Sequence, residues 1–222
     1  MAKRQELREL DCSKLKLTKN ECKFIQAVNQ NCYKNNTKLC LVNKKLLYIQ
    51  DERVNVAGYF QEQPPILKVA IKNSTEEWLP ILVHEYCHLL QYVNDTTAWH
   101  TCCNTRYGDA VSIVVEWLTT GKIKDPKGIN RYIKLNRNME LECEKMSVKI
   151  IKQYCLDIDL DNYIKNANAY IYLYTWLKTS KQWYKKPPYR STKILNEMPI
   201  TFCKNYGKMS KKLLDLYNKH CL

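Results

Sequence analysis

Apolar positions in this chain recur mostly at helical spacing, with strand-like runs confined to one early stretch. Thr18-Lys19-Asn20-Glu21 has the form of a capping box and opens a helix to about Tyr33, which Asn35-Asn36-Thr37 breaks. A shorter charged helix is expected over 3–16. Three strand-like runs follow at 45–50, 53–60 and 66–71. Asp51-Glu52 joins the first two closely enough for a hairpin, and Pro64-Pro65 separates the second from the third. The run 66–71 has too little polar alternation for a free surface strand and predicts one covered face. Ser74-Thr75-Glu76-Glu77 offers a second capping box, for a helix to about Val93 with Pro80 in its first turn or at a kink. Asn94-Asp95-Thr96-Thr97 breaks it, and Trp99, His100, Cys102 and Cys103 fall in an expected loop. Asp109 can cap a helix through Thr119, stopped by Gly121. Asp125-Pro126 leads into a long helix over about 128–154, and Asp159 or Asp161 opens another to about Trp176. The stretch 183–189 reads as loop, and a final amphipathic helix spans about 208–219.

These elements predict an α+β chain, mostly helical, with a small antiparallel or mixed sheet ahead of a helical C-terminal half. No strong boundary interrupts the pattern, so a single domain over 1–222 is expected. Residues 1–72 would carry a helix and the sheet, and residues 73–222 the helical part.

Composition narrows the class. The chain has 222 residues, 45% of them hydrophobic, enough for a sizeable core. No apolar run reaches the roughly 18 residues that span a bilayer. The N-terminal residues lack the apolar segment of a signal peptide, which predicts an intracellular protein with no membrane partner. Eleven cysteines with no Cys-x-x-Cys pair predict reduced, mostly buried thiols and argue against a thiolate zinc ribbon. The net charge of +14 has two readings. One is affinity for a polyanion such as nucleic acid. The other is codon bias of an AT-rich genome toward Lys, Asn, Ile and Tyr. No tight basic cluster is visible along the chain.

The candidate chemistry centres on His84-Glu85-Tyr86-Cys87-His88. Residues four apart share a helix face, so His84 and His88 can direct two imidazoles at one ion. Glu85 sits on the flank of that face, where it can reach a water on the metal without being a ligand. Ile81, Leu82, Val83, Leu89 and Leu90 make the helix apolar, and two His and a Glu are costly to bury there without partners. This is the His-Glu-x-x-His signature of zincin metallopeptidases, and it predicts one zinc ion. A catalytic zinc takes a third protein ligand and leaves a position to water. Glu140-Leu141-Glu142-Cys143-Glu144, midway along the long helix, supplies the best candidates, with Glu140 and Glu144 on one face. A solvated acidic turn on a basic protein would have the same composition.

The motif and Glu140-x-x-x-Glu144 together resemble the gluzincin branch of the zincins. That resemblance implies a zincin-like core, with Glu140 as third ligand and Glu144 as the group supporting the first histidine. Val56-Ala57-Gly58-Tyr59-Phe60, His84 to Gln91, Glu140 to Lys145, Tyr163-Ile164, Ala167-Asn168-Ala169-Tyr170 and Trp183-Tyr184 are similar to uncharacterised phage and viral proteins labelled metallopeptidases. This implies a virus-encoded hydrolase in the host cytoplasm or the virion. His84 to His88 alone is similar to SprT-like proteases, which act on DNA-bound proteins. The family mechanism would make Glu85 the general base and a protein or peptide the substrate. The strand over 66–71 would pair with that substrate, and His100, Tyr170 or Tyr172 would contact the oxyanion or substrate. A competing expectation is a non-catalytic viral protein, structural or nucleic-acid-associated, with a zinc-stabilised core.

Overall fold

The computed structural model describes residues 15, 17–49, 54–123, 125 and 128–222. In chain order the elements are α1 (Lys19–Lys34), β1 (Lys38–Val42), β2 (Leu47–Ile49), β3 (Val54–Val56), β4 (Gly58–Glu62), β5 (Pro65–Ala70) and α2 (Thr75–Val93). Then follow α3 (Thr97–Cys103), α4 (Ala110–Thr120), α5 (Asn130–Tyr154), α6 (Leu160–Ser180), a 3-10 turn at Pro188–Arg190, α7 (Thr192–Leu195) and α8 (Lys211–Cys221). The architecture is α+β and mostly helical, and every strand among the described residues precedes α2. The expected Asp51-Glu52 turn and Pro126 lie outside the described residues, as does nearly all of the helix expected over 3–16. No helix among the described residues is long and apolar enough to cross a membrane.

Two compact units are present. The first comprises residues 1–94 and 146–158, and the second residues 95–145 and 159–222.

In the first unit, the sheet order is β1-β5-β4, with β1 parallel to β5 and β4 antiparallel to it. β2 and β3 form a separate antiparallel ribbon. The run expected as one strand over 53–60 divides at Ala57, because β3 pairs with β2 while β4 pairs with β5. β1 had no counterpart in the expected elements. Its five residues carry too short a pattern, and a parallel partner 28 positions away (Lys38 opposite Ile66) gives no local signal. β5 is the central strand, with Leu67, Val69 and Ala70 buried. An inner strand has both edges already paired, so the substrate-pairing role expected for 66–71 does not fit this position.

Helix α2 lies on β4 and β5. Trp78, Leu79, Leu82, Val83, Tyr86 and Leu89 recur at helical spacing and are buried. Each fully buried aliphatic side chain of this kind stabilises the fold by about 1.5–3 kcal/mol. Ser74 is the N-cap, but its side chain makes no cap hydrogen bond. Its hydroxyl engages Glu76 instead, holding that carboxyl below the usual range. The helix starts at Thr75 and runs on through Pro80. α1 has the full Thr18/Glu21 capping box. Its Phe24 ring meets Tyr86 edge-on at 6.0 Å and Tyr154 of α5 at 5.3 Å. Asn31 Nδ2 donates to the Tyr86 hydroxyl at 2.9 Å, and burial pushes that phenol up to about 12.

In the second unit, the expected loop around Trp99 is helical. Thr96 caps α3, accepting from Trp99 N–H, and Trp99 and Cys102 are buried. Asp109 caps α4 and Gly121, at φ 70°, ends it. α5 and α6 run alongside one another: Arg137 Nη1 donates to Thr175 Oγ1 at 3.3 Å, and the Tyr174 hydroxyl donates to Glu140 Oε1 at 3.4 Å. Asp159 is the N-cap of α6. Tyr217 of α8 donates to Ala169 O at 2.6 Å, and Trp176 Nε1 donates to Asn218 Oδ1 at 2.8 Å.

Candidate metal centre

His84 and His88 lie one turn apart on α2, as the spacing requires, with ring planes at 87°. Their Nε2 atoms are 3.2 Å apart. Two imidazoles bound to one tetrahedral zinc at about 2.0–2.1 Å have nitrogens roughly 3.3 Å apart. The pair therefore already spans one edge of a zinc tetrahedron.

The tautomer follows from the next turn. His88 Nδ1 lies 2.9 Å from Oε1 of the fully buried Gln91. An amide oxygen only accepts, so Nδ1 carries the proton and Nε2 presents its lone pair. This is the form that a metal ligand needs, and a hydrogen bond on the far nitrogen both orients the ring and raises its basicity. Gln91 was not among the functional residues expected from the sequence. Its position three after His88 is the signal that could have found it.

Glu85 is held from the sheet side. A Cβ built on Gly58 of β4 would lie 3.2 Å from Glu85 Cγ and 2.7 Å from Ile81 Cγ2. A bare α-carbon at Gly58 is what lets β4 approach α2 here. Gly58→Ala should cost about 1–3 kcal/mol through overpacking and displace Glu85. Thermal unfolding should show the lower Tm, and a Tm equal to the parent would mean that β4 can retreat from α2.

The third position is offered by α5. Ser147 Oγ, within the first unit, lies 3.4 Å from Cys87 Sγ, fixing α5 against α2 beside His88. Cys143 is one turn earlier on the same unbroken helix and fully buried. His84, His88 and Cys143 each bring a ligand atom within 4.8 Å of the others. A His/His/Cys group of this kind can hold a metal ion. Among the described residues it is the group of three or more such side chains that converges, and Glu140 is not part of it. Nitrogen and sulfur on one zinc stand roughly 3.6 Å apart, inside the 4.8 Å within which these atoms lie. In the sequence, Cys143 reads as one more buried packing thiol. The clue to another role was its place on the same buried polar stripe of α5 as Asn136, Glu140 and Ser147.

The remaining expected residues are placed as follows. Glu140 is buried and accepts from Tyr174, whose hydroxyl is 3.1 Å from that of Tyr170. Burial raises both phenols well above their usual range, and the nearby Glu140 carboxylate adds to it. Glu144 is buried and accepts from the Tyr163 hydroxyl at 2.7 Å. Glu142 accepts from Thr96 instead. His100 is exposed and pairs with Asp95 at 3.0 Å. Tyr172 packs on Tyr206, with ring centroids 4.9 Å apart, and reaches Asn205 O. Every cysteine among the described residues is a free thiol.

Comparison of the chain with family models, with curated proteins and with solved structures gave no match.

Proposed function

We propose that this chain is a zinc-dependent peptidase in which His84 and His88 hold the metal and Glu85 is the general base. The observation that carries this reading is the 3.2 Å edge between the two Nε2 atoms, with Gln91 Oε1 placed to accept from His88 Nδ1. A zinc ion there supplies Lewis acidity, lowering the pKa of a coordinated water toward neutrality and polarising a substrate carbonyl. Glu85, one residue on from His84, would act as the general base, taking a proton from water and delivering it to the leaving amine. Two histidines plus one ligand from α5 would hold the metal by three protein side chains, the number that a catalytic zinc site uses. Cys143 is the third ligand that the convergence favours, and Glu140 is the one that the gluzincin resemblance implies. β4, an outer strand of the sheet and adjacent to Glu85, takes the substrate-pairing role in place of β5.

One observation favours a second reading. The converging group holds three side chains, so it is closed only if a fourth protein ligand joins His84, His88 and Cys143, and zinc would then serve the fold alone. Metal analysis and a zinc titration of the purified chain decide first whether one zinc binds per chain. Absence of rebinding by the apo-protein would sink both readings. Gln91→Ala should weaken zinc about 10–100-fold by leaving the His88 ring unsupported, as read by competition with a chromogenic chelator. Parent-like affinity would show that Gln91 does not set the ring.

A further inference from the structure

The sequence shows no basic cluster, but packing of α5 against α6 makes one in the second unit. The Arg137–Thr175 hydrogen bond sets the antiparallel register of the two helices. Lys134 lies three residues before Arg137 and Lys178 three residues after Thr175, so both fall on the next rung in the same direction. Arg137 is only 9% exposed, although it carries a permanent charge. Among the described residues its side chain makes no ion pair, and its hydrogen-bond partner is a neutral hydroxyl. Thr175 Oγ1 in turn donates to Tyr206 O, so the hydroxyl serves as a fixed acceptor that aims the guanidinium. A Cβ at Gly207 would sit 3.8 Å from Arg137 Nη1, so this loop residue adds only a bare backbone beside the cation. Lys178 is held below its usual range, first by burial and then by Arg137 and Lys134, so the three charges act on one another. Three cations collected at one place, one of them buried, is a costly arrangement that a bound anion relieves.

We propose that Arg137, Lys134 and Lys178 form a binding site for one phosphate-type oxyanion on the α5–α6 face, separate from the histidine pair. Arg137 presents the planar fork that matches two oxygens of a tetrahedral anion, and the two lysines supply mobile charge around it. The ligand is an inorganic phosphate or a phosphate monoester, which share this chemistry.

Isothermal titration of the full chain with inorganic phosphate, at ionic strength held constant with chloride, tests the site. The expected result is one saturable site per chain. Lys134→Gln/Lys178→Gln should weaken it at least about tenfold, since charge-assisted hydrogen bonds carry such a site. Arg137→Lys keeps the charge and loses the fork, and should weaken it as well. Lys193→Gln/Lys211→Gln, remote from the cluster in sequence, should bind like the parent. A parallel titration with adenosine monophosphate separates the sources: tighter binding than phosphate assigns a monoester, and equal or weaker binding assigns the free ion. The proposal is overturned if the parent binds neither anion saturably. It is equally overturned if the double lysine variant, with parent-like circular dichroism and Tm, binds as the parent does. If that variant does not fold, the single Lys134→Gln, altering an exposed side chain, replaces it: weaker binding supports the site, and parent-like binding overturns it.

Discussion

Glu85→Gln should keep its zinc and lose hydrolysis. The amide preserves the size and shape that fit against Gly58, so the packing of α2 on β4 is unchanged. It cannot accept a proton, so the step that activates water and the step that protonates the leaving amine both fail. The expected loss is about 10²–10⁴-fold in kcat, the usual contribution of a general base. Zinc content and Tm should match the parent, because Glu85 lies beside the metal-binding face and is not a ligand in this reading. The measurement is cleavage of a fluorescently labelled unfolded protein such as casein, by zinc-loaded parent and variant at equal metal content. A variant as active as the parent would remove Glu85 from the mechanism. Zinc lost together with activity would instead make Glu85 a ligand.

The second large effect concerns α5. Cys143→Ala should weaken zinc by at least about a hundredfold, more than loss of a supporting group costs. Glu140→Ala should weaken it less, since Glu140 already accepts from Tyr174 and lies outside the converging group. Cobalt substitution adds a readout that stability cannot imitate. A thiolate ligand gives an intense near-ultraviolet charge-transfer band, which Cys143→Ala should abolish and Glu140→Ala should leave. If the band is absent from the parent and Glu140→Ala releases the metal, Glu140 is the third ligand, as in gluzincins. If both variants release it, the closed four-ligand site is correct, and zinc serves the fold. Glu144→Ala should act more weakly than either, since its carboxylate is held by Tyr163.

Much of this protein was legible in the chain because the controlling interactions are local. Thr18, Asp109 and Gly121 mark helix ends within a turn of themselves and do so in the structure, and of the two candidates Asp159 and Asp161 it is Asp159 that caps α6. The His84/His88 pair needs only a helix, so its face and one-turn spacing were readable from five residues. Predominance of helix, with strands confined to the stretch before α2, followed from the change in apolar period.

Tertiary structure decided what depends on distant partners. β5 is an inner strand because β1 joins it from 28 positions away, and no local pattern reports which side of a strand is taken. Trp99 sits on a helix because Thr96 caps α3 while also donating to Glu142, and because Trp99 and Cys102 have a core to enter. Cys143 became a candidate ligand because Ser147 meets Cys87 and a rigid helix carries that register back one turn. The cationic cluster exists because α5 and α6 run antiparallel with Arg137 opposite Thr175, uniting residues 44 positions apart at Lys134 and Lys178. Short-range periodicity determines which face a side chain is on. Which other face it meets is set by the packing of the whole chain, and there the candidate third ligand and the cationic cluster were decided.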